Sequence, residues 1–302
     1  MSAIEAGHRT NPFTRWFKDP WRKPRLLETI TWAYIVWAIV PVIVAVIFSF
    51  NASRSRSAWS GFSLQWWVPG NEQDTESLLR RPDLVNAMQQ SIKLAVLTML
   101  IAVPLGVLFA IGIDRWHGRG SGSSNFSMLF SFVVPEIILG VSLYLLFTNL
   151  FSTFFDLGSA AQTIGLVTFQ ISYPVIIVRA RMLSIGSEYK EAAMDLGATP
   201  MQAVRRILLP LLYPAIFAST AIVFADALDD FVIVESLKAG AATETFASKI
   251  YSVSRGSPTP AINAGATVLL VTSFVVIVLG AIGYRYYSKG QREGDVANFT
   301  QL

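Results

Sequence analysis

Six stretches of this chain are so apolar and so long that they fix the class of structure before any motif is considered. The first, residues 29–50, is apolar apart from Thr and Ser. At about 1.5 Å per helical residue it is long enough to cross about 30 Å of hydrocarbon. Trp32, Tyr34 and Trp37 stand near its start, where indole and phenol rings favour the boundary with water. The others are residues 94–113, 126–151, 157–178, 207–234 and 261–284. A segment in lipid must satisfy its own backbone polar groups, so each stretch is predicted to be a helix. Composition agrees: 15% of residues are charged, where soluble domains average about 25%, and mean hydropathy is +0.49. The prediction is an all-α membrane protein with six transmembrane helices. An N-terminal segment 1–28 is followed by a six-helix domain 29–287 and a polar tail 288–302.

Several function classes drop out. The basic start is followed by an apolar run of about twenty residues with no small-residue cleavage site, so it reads as an uncleaved first span and not a signal peptide. The chain has no cysteine, which excludes disulfides and thiolate metal sites. His8 and His117 sit in polar flanks without ligand partners, so no metal is expected. The net charge of +4 comes from basic residues beside apolar spans, without the interleaved aromatics of a nucleic-acid surface. Neither a Ser/His/Asp set nor H-E-x-x-H is present, which argues against an enzyme. The G-x-G-x-G of Gly118, Gly120 and Gly122 lacks a preceding strand, so it is not read as a phosphate loop.

Orientation follows from charge. With six spans both termini share a side, and sixteen of the 24 lysines and arginines fall there or in the loops on that side. Seven fall on the other side, and Lys93 stands at a helix start. Both termini and the region between the fourth and fifth spans are therefore expected in the cytoplasm.

Within the spans, Pro104 predicts a kink, and the spacing of Ala102, Gly106 and Ala110 allows close approach of another helix. Residues 51–87, with Trp66, Trp67, Val68 and Pro69, read as an external loop carrying interfacial aromatics, and residues 235–260 as a second external loop. Acidic residues inside a bilayer are costly, which makes Glu136, Asp226, Asp229 and Asp230 candidates for transport chemistry. On one continuous helix Asp226, Asp229 and Asp230 share a face, tolerable in a watery or cation-occupied cavity. The rival reading ends the fifth helix near Ala225 and leaves these acids in headgroup water. Glu136 follows Pro135, which frees backbone groups for a binding niche; its rival is a buried, hydrogen-bonded carboxyl. Tyr144, Phe224 and Phe231 read first as packing or lipid-facing rings, with cation–π contact to a cargo as the second reading. Tyr144 and Phe231 stay with Glu235 among the pathway candidates.

The most specific signal lies in residues 187–210. Ser187 stands where a short helix needs a cap, and Tyr189, Ala192, Ala193 and Leu196 then form an apolar stripe. Gly197 ends that helix. Thr199, Pro200 and Gln202 restart another, in the order of N-cap, first position and capping-box partner. Two alanines leave room for another surface, and Lys190, Glu191 and Asp195 flank it for charge-assisted contacts. On physical grounds this is a docking knob or a plain amphipathic connector.

The spacing resembles the EAA loop of ABC-importer permeases: E-A-A, three residues, G, nine residues, then I-x-L-P. It is matched here by Glu191, Ala192, Ala193, Gly197, Ile207, Leu209 and Pro210. The resemblance implies the type I ABC-importer permease (MetI-like) fold, with this loop as the coupling helix seated in a separate ATPase. No G-x-x-x-x-G-K-[ST] occurs in the chain, so ATP and Mg would be bound by that partner, with no cofactor in this chain.

Further stretches resemble the second permease subunit of spermidine/putrescine importers. They are Pro135 through Gly140, Leu228 through Val232, Lys249 through Ser252, and Pro260 through Leu270. That likeness implies a bacterial inner-membrane subunit working with a sister permease, an ATPase dimer and an external solute-binding protein, and moving a polyamine. Glu235, Lys238 and the first external loop depart from the pattern. An opine, iron or thiamine cargo stays open, as does a gradient-driven transporter in which the same acids carry protons or sodium.

Overall fold

The computed structural model describes residues 25–55, 58–69, 76–115, 133–256 and 259–299, except the side chains of Arg115 and of 286–299. It divides into two units, Met1–Ile47 and Phe48–Leu302. Helix α1, Arg25–Phe48, makes up the described part of the first, apart from its last residue. Its 24 residues include no buried side chain, as suits a helix that is apolar around its whole circumference.

The second unit opens with a loop and then α2, Pro82–Arg115. This corrects the loop expected over 51–87: Pro82 has no N–H to lose at a first helical position, so the helix begins there. Helix α3, Glu136–Leu145, is prolonged by a wide turn of π type over Leu146–Leu150. Helices α4, Ser159–Gln170, and α5, Ser172–Ile185, run together through Ile171, whose φ of −58° and ψ of −23° keep the helical trace. The fourth crossing is therefore Ser159–Ile185, longer at its C-terminal end than the 157–178 expected. Next come α6, Glu188–Asp195, α7, Pro200–Ala203, and a second π turn over Val204–Leu208. Helix α8 is Leu209–Asp229, α9 Val232–Ser236, α10 Phe246–Arg255 and α11 Ala261–Phe299.

The architecture is all-α. Among the described residues five helices are long and apolar enough to span a membrane, and Glu136–Leu150 is a shorter apolar helix at the place of the third. The start of that third span, 126–132, lies outside the described residues, as do most of 1–28, the turn around Gly118 and both histidines. The segment 235–260, expected as an external loop, contains α10, and α11 continues as helix to Phe299, beyond the Ala261–Arg285 stretch that is apolar enough to cross.

Close packing of α2 on α5 rests on the small residues picked out in the sequence. Ala102 and Ala110 are fully buried, and a Cβ added at Gly106 would stand 2.4 Å from the Pro174 ring. Leu212 and Val223 of α8 complete this core. A second core, with Leu143, Leu166, Ile233 and Leu237, ties α3 and α4 to α9. A third gathers Trp66, Leu84, Phe224, Phe246 and Ala261. Between them lies a polar hub. Buried Gln162 donates to the carbonyls of Val234 (2.9 Å) and Thr243 (3.0 Å) and accepts from Gln90 Nε2 at 3.0 Å. An amide so engaged fixes the register of three elements, because leaving any of these groups unpaired in a buried site costs about 1–3 kcal/mol.

Candidate coupling surface and candidate transport niche

At the α6–α7 turn the backbone follows the sequence signals closely. Gly197 has φ +86°, in the left-handed region. Its N–H reaches the Met194 carbonyl at 2.9 Å, and the Ala198 N–H reaches the Ala193 carbonyl at 3.0 Å. This pair of bonds is a Schellman ending, which satisfies the last carbonyls of α6. Thr199 then caps α7: its Oγ1 accepts the Gln202 N–H at 3.3 Å, while Gln202 Oε1 accepts the Thr199 N–H at 2.9 Å. Ser187 stands at the N-cap of α6 but makes no capping bond through its hydroxyl. Its φ of −88° and ψ of −14° are helical rather than extended, which takes the side chain out of capping geometry.

The apolar stripe divides. Ala193 is buried, as is Ala203, so these alanines face the body of the chain. Tyr189, Ala192 and Leu196 point outward, with Leu196 90% exposed, and Met201 stands exposed nearby. Glu191 and Asp195 are exposed beside them. Met201 was missed in the sequence because it belongs to the next helix; it also lines a shallow cleft with Gln202, Arg205 and Arg206. Ile207, Leu209 and Pro210 are half-buried and lie inside or just after the π turn Val204–Leu208. Pro210 has no N–H to give to the carbonyl of Arg206, and its ring would crowd that carbonyl. A widened turn just before it follows from both.

The niche is assembled from three crossings. Glu136 is the first residue of α3, after the break at Pro135. It lies close enough to act electrostatically on Asp226, Asp229 and Asp230. The three aspartates do not share one helix. Helix α8 ends at Asp229, and Asp230 takes φ −53°, ψ 129°, an extended turn. Asp230 is buried, and its Oδ1 accepts the N–H groups of Ile233 and Val234, each at 3.1 Å. It thereby caps α9, so neither the single acidic face nor the ending near Ala225 describes this stretch. Asp226 is half-buried and Asp229 exposed.

Gln170, at the end of α4, was not singled out in the sequence. It is fully buried, and its Nε2 donates to Asp226 Oδ2 at 2.5 Å while its Oε1 has no hydrogen-bond partner. The rule that flagged the carboxylates would have found it if applied to amides. The remaining candidates are Glu235, Phe231 and Tyr144. Glu235 is ion-paired with Lys238. The Phe231 ring packs 4.8 Å from Tyr251, over which Arg255 sits at 4.3 Å, and Tyr144 is exposed on α3.

A family model described as binding-protein-dependent transport system inner membrane component matches residues 102–293. The spermidine/putrescine transport system permease protein PotC of Escherichia coli K12 is 32% identical over 268 residues, covering 89% of this chain and 96% of its own. The putrescine transport system permease protein PotI of the same strain is 32% identical over 271 residues, 88% of each. Among solved structures, a chain of a bacterial ABC transporter that imports the acidic polysaccharide alginate superposes with a TM-score of 0.66 at 18% identity, over 90% of this chain and 99% of that one. A chain of the MetNI methionine ABC transporter gives 0.56 at 20%, over 72% and 98%. At such identities the structural likeness speaks for the fold.

Proposed function

The chain belongs to the binding-protein-dependent transport system inner membrane components, and from that premise we propose that it is the permease of an importer that moves a polyamine, driven by a separate ATPase dimer. It would form the path with a sister permease and receive its cargo from an external solute-binding protein. The observation that carries the cargo class is the convergence of Glu136, Asp226, Asp229 and Asp230 at the ends of crossings. Among the described residues, none of the four is in an ion pair with lysine or arginine. A diamine or triamine leaving water loses the hydration of each ammonium and needs acceptors in its place. Asp226 and Asp229 are the best placed, because Asp230 is held by the α9 backbone and Glu235 by Lys238. The two relatives above, named for spermidine and putrescine, support the same class.

The coupling role rests on the exposed face of Tyr189, Ala192, Leu196 and Met201. Large apolar side chains held outward on a rigid turn at an aqueous surface suit a protein partner. Glu191 and Asp195 supply charge at its edge. ATP and Mg would belong to that partner. In the charge-based orientation, reporters fused after Leu302 or within 118–123 signal cytoplasm, and those within 72–77 or 243–245 signal the exterior. A cytoplasmic signal from the 243–245 fusion overturns the arrangement.

The deciding experiment is uptake by the reconstituted complex of both permeases, ATPase and binding protein, with putrescine, spermidine, an opine, ferric iron and thiamine in competition. ATP-dependent uptake competed only by amines is the expected result. Uptake that persists on an ion gradient without ATP, or that is competed by another solute, overturns the reading.

A further inference from the structure

The described residues of the first loop, 48–55 and 58–68, are more tightly bonded than a connector between crossings requires. Asn51 ties it into a knot: Nδ2 donates to the carbonyls of Ser55 and Ala58, each at 3.0 Å, and Oδ1 accepts the Ser60 N–H at 2.9 Å. A short antiparallel pairing joins its ends, Ala52 N–H to the Gly61 carbonyl at 2.9 Å and Ser63 N–H to the Phe50 carbonyl at 2.8 Å. Two tryptophans lock the inner side. Trp66 is buried and its Nε1 donates to the Asn51 carbonyl at 2.7 Å; Trp67 Nε1 donates to the Ser49 carbonyl at 3.1 Å. Trp66 and Trp67, expected to be interfacial, thus spend their polar ends on the loop's own backbone.

Other rings face outward. Phe50 is sandwiched between Trp67, at 5.1 Å, and Phe62, at 5.5 Å, yet Phe62 is 71% exposed. Trp59 is 49% exposed and meets Phe48 edge-on at 6.3 Å. Leu64 and Val68 are exposed as well. Phe48 is the last residue of α1, a 24-residue apolar helix. Such a helix reaches about 36 Å, a little more than the hydrocarbon layer. The rings packed against Phe48 and Phe50 therefore stand where the first crossing leaves the hydrocarbon.

We propose that residues 48–55 and 58–68 form an interfacial foot, which rests Trp59, Phe62 and Leu64 in the boundary layer of the bilayer at the end of α1. Depth selects lipid over a soluble partner. A binding protein approaching from outside would have to enter the headgroup layer to touch rings beside Phe48, whereas glycerol and acyl groups already occupy it. The chemistry fits the same layer. Aromatic and leucine side chains face out, while Ser53 and Ser60 bond to each other at 2.7 Å, and Arg54, the one charged side chain among the described residues of the loop, pairs with Glu76. The loop's internal bonds hold these rings in place before they meet the bilayer, so little ordering entropy is lost on contact.

The absence of native cysteine makes the test direct. Phe62→Cys and Leu64→Cys, each labelled with an environment-sensitive fluorophore, are assembled in the full complex in nanodiscs, with Ala241→Cys as the exposed control. Leu64→Cys guards against the chance that Phe62→Cys loosens the ring stack. With lipids brominated near the carbonyl end of the acyl chain, the labels at 62 and 64 should lose most of their fluorescence and resist aqueous iodide, with or without binding protein. The Ala241→Cys label should show the reverse. Labels at 62 and 64 quenched by iodide as strongly as the control would overturn the foot. Shielding from both quenchers would assign the face to the sister permease. Protection that appears only when the binding protein is added would assign it to that protein.

Discussion

The coupling turn and the acidic niche are both built around breaks in helices, yet they are specified at different distances along the chain. At the turn every device is local: Gly197 closes α6, Thr199 and Gln202 open α7, and Pro210 widens the turn before α8, all within fourteen residues. At the niche Glu136 lies 34 residues from Gln170 and 90 from Asp226, and their meeting depends on the packing of three crossings. The turn is therefore geometry set by its own residues, and the niche a charge arrangement set by how the crossings pack. Damage to the first should uncouple transport without touching cargo recognition, and damage to the second should do the opposite.

The largest effect is expected in the niche. Asp226→Asn combined with Asp229→Asn removes two charges while keeping shape and hydrogen-bonding capacity, so Gln170 retains a partner. Apparent affinity for amines should fall tenfold or more, about 1.4 kcal/mol, with expression and basal ATP hydrolysis of the complex unchanged. Solvated surface carboxylates contribute only about 0–1 kcal/mol in ion pairing, so a smaller loss would return these residues to headgroup water. Equal uptake of short and long amines by variant and wild type would break the comparison at its niche end.

Next comes Gly197→Leu. The left-handed backbone at φ +86° costs a residue with a side chain about 1–2 kcal/mol, whereas asparagine tolerates it better. Among the described residues, apart from its chain neighbours, no atom lies within 4 Å of the missing Cβ, so the expected cost is that of the backbone conformation. Gly197→Leu should insert normally and lose ATP-coupled uptake, with Gly197→Asn intermediate and Glu191→Ala also impaired. Wild-type transport by both Gly197→Leu and Glu191→Ala would remove the coupling role from this turn.

The same contrast explains what could be read from sequence. The spans were legible because lipid permits only helices, and the coupling turn because caps, glycine and proline act on their immediate neighbours. The side on which α6 rests was not. Tyr189, Ala192, Ala193 and Leu196 form one stripe by periodicity, but only the surrounding chain decides that Ala193 goes in and Leu196 out. The aspartates failed for a related reason. Leu228 to Val234 is apolar enough to look like continuing helix, and the break at Asp230 is fixed by its own carboxyl turning to the Ile233 and Val234 amides. Gln170 escaped because its helix carries two amides, Gln162 and Gln170, and nothing local separates them; its meaning lies in Asp226 on another crossing.

A smaller effect separates structure from cargo inside the niche. If Asp230 serves α9 as a cap, Asp230→Asn keeps an acceptor for the two amides and Asp230→Ala does not. The alanine variant should lose about 1 kcal/mol, read as a lower midpoint in thermal unfolding of the purified subunit, while the asparagine variant stays near wild type. A cargo ligand would give another pattern: both variants would lose amine uptake alike, with unfolding unchanged for asparagine.

The smallest effect should come from the capping box. Thr199→Ala removes the acceptor for the Gln202 N–H, and Gln202→Ala removes the acceptor for the Thr199 N–H. Both groups are exposed, so water replaces much of what is lost, and each change should cost at the lower end of the usual range for caps, about 0.5–1 kcal/mol. The two bonds close one ring of contacts, so the double variant should lose less than the sum of the singles. Hydrogen exchange reads this directly. Amides 202–204 should exchange faster in either single variant, with little further change in the double. Uptake should barely move, because Pro200 still sets the first turn of α7 and Gly197 still sets the end of α6. If Thr199→Ala abolished uptake while exchange stayed at the wild-type level, Thr199 would be touching the ATPase itself, and the grip would extend past the face of Tyr189, Ala192, Leu196 and Met201.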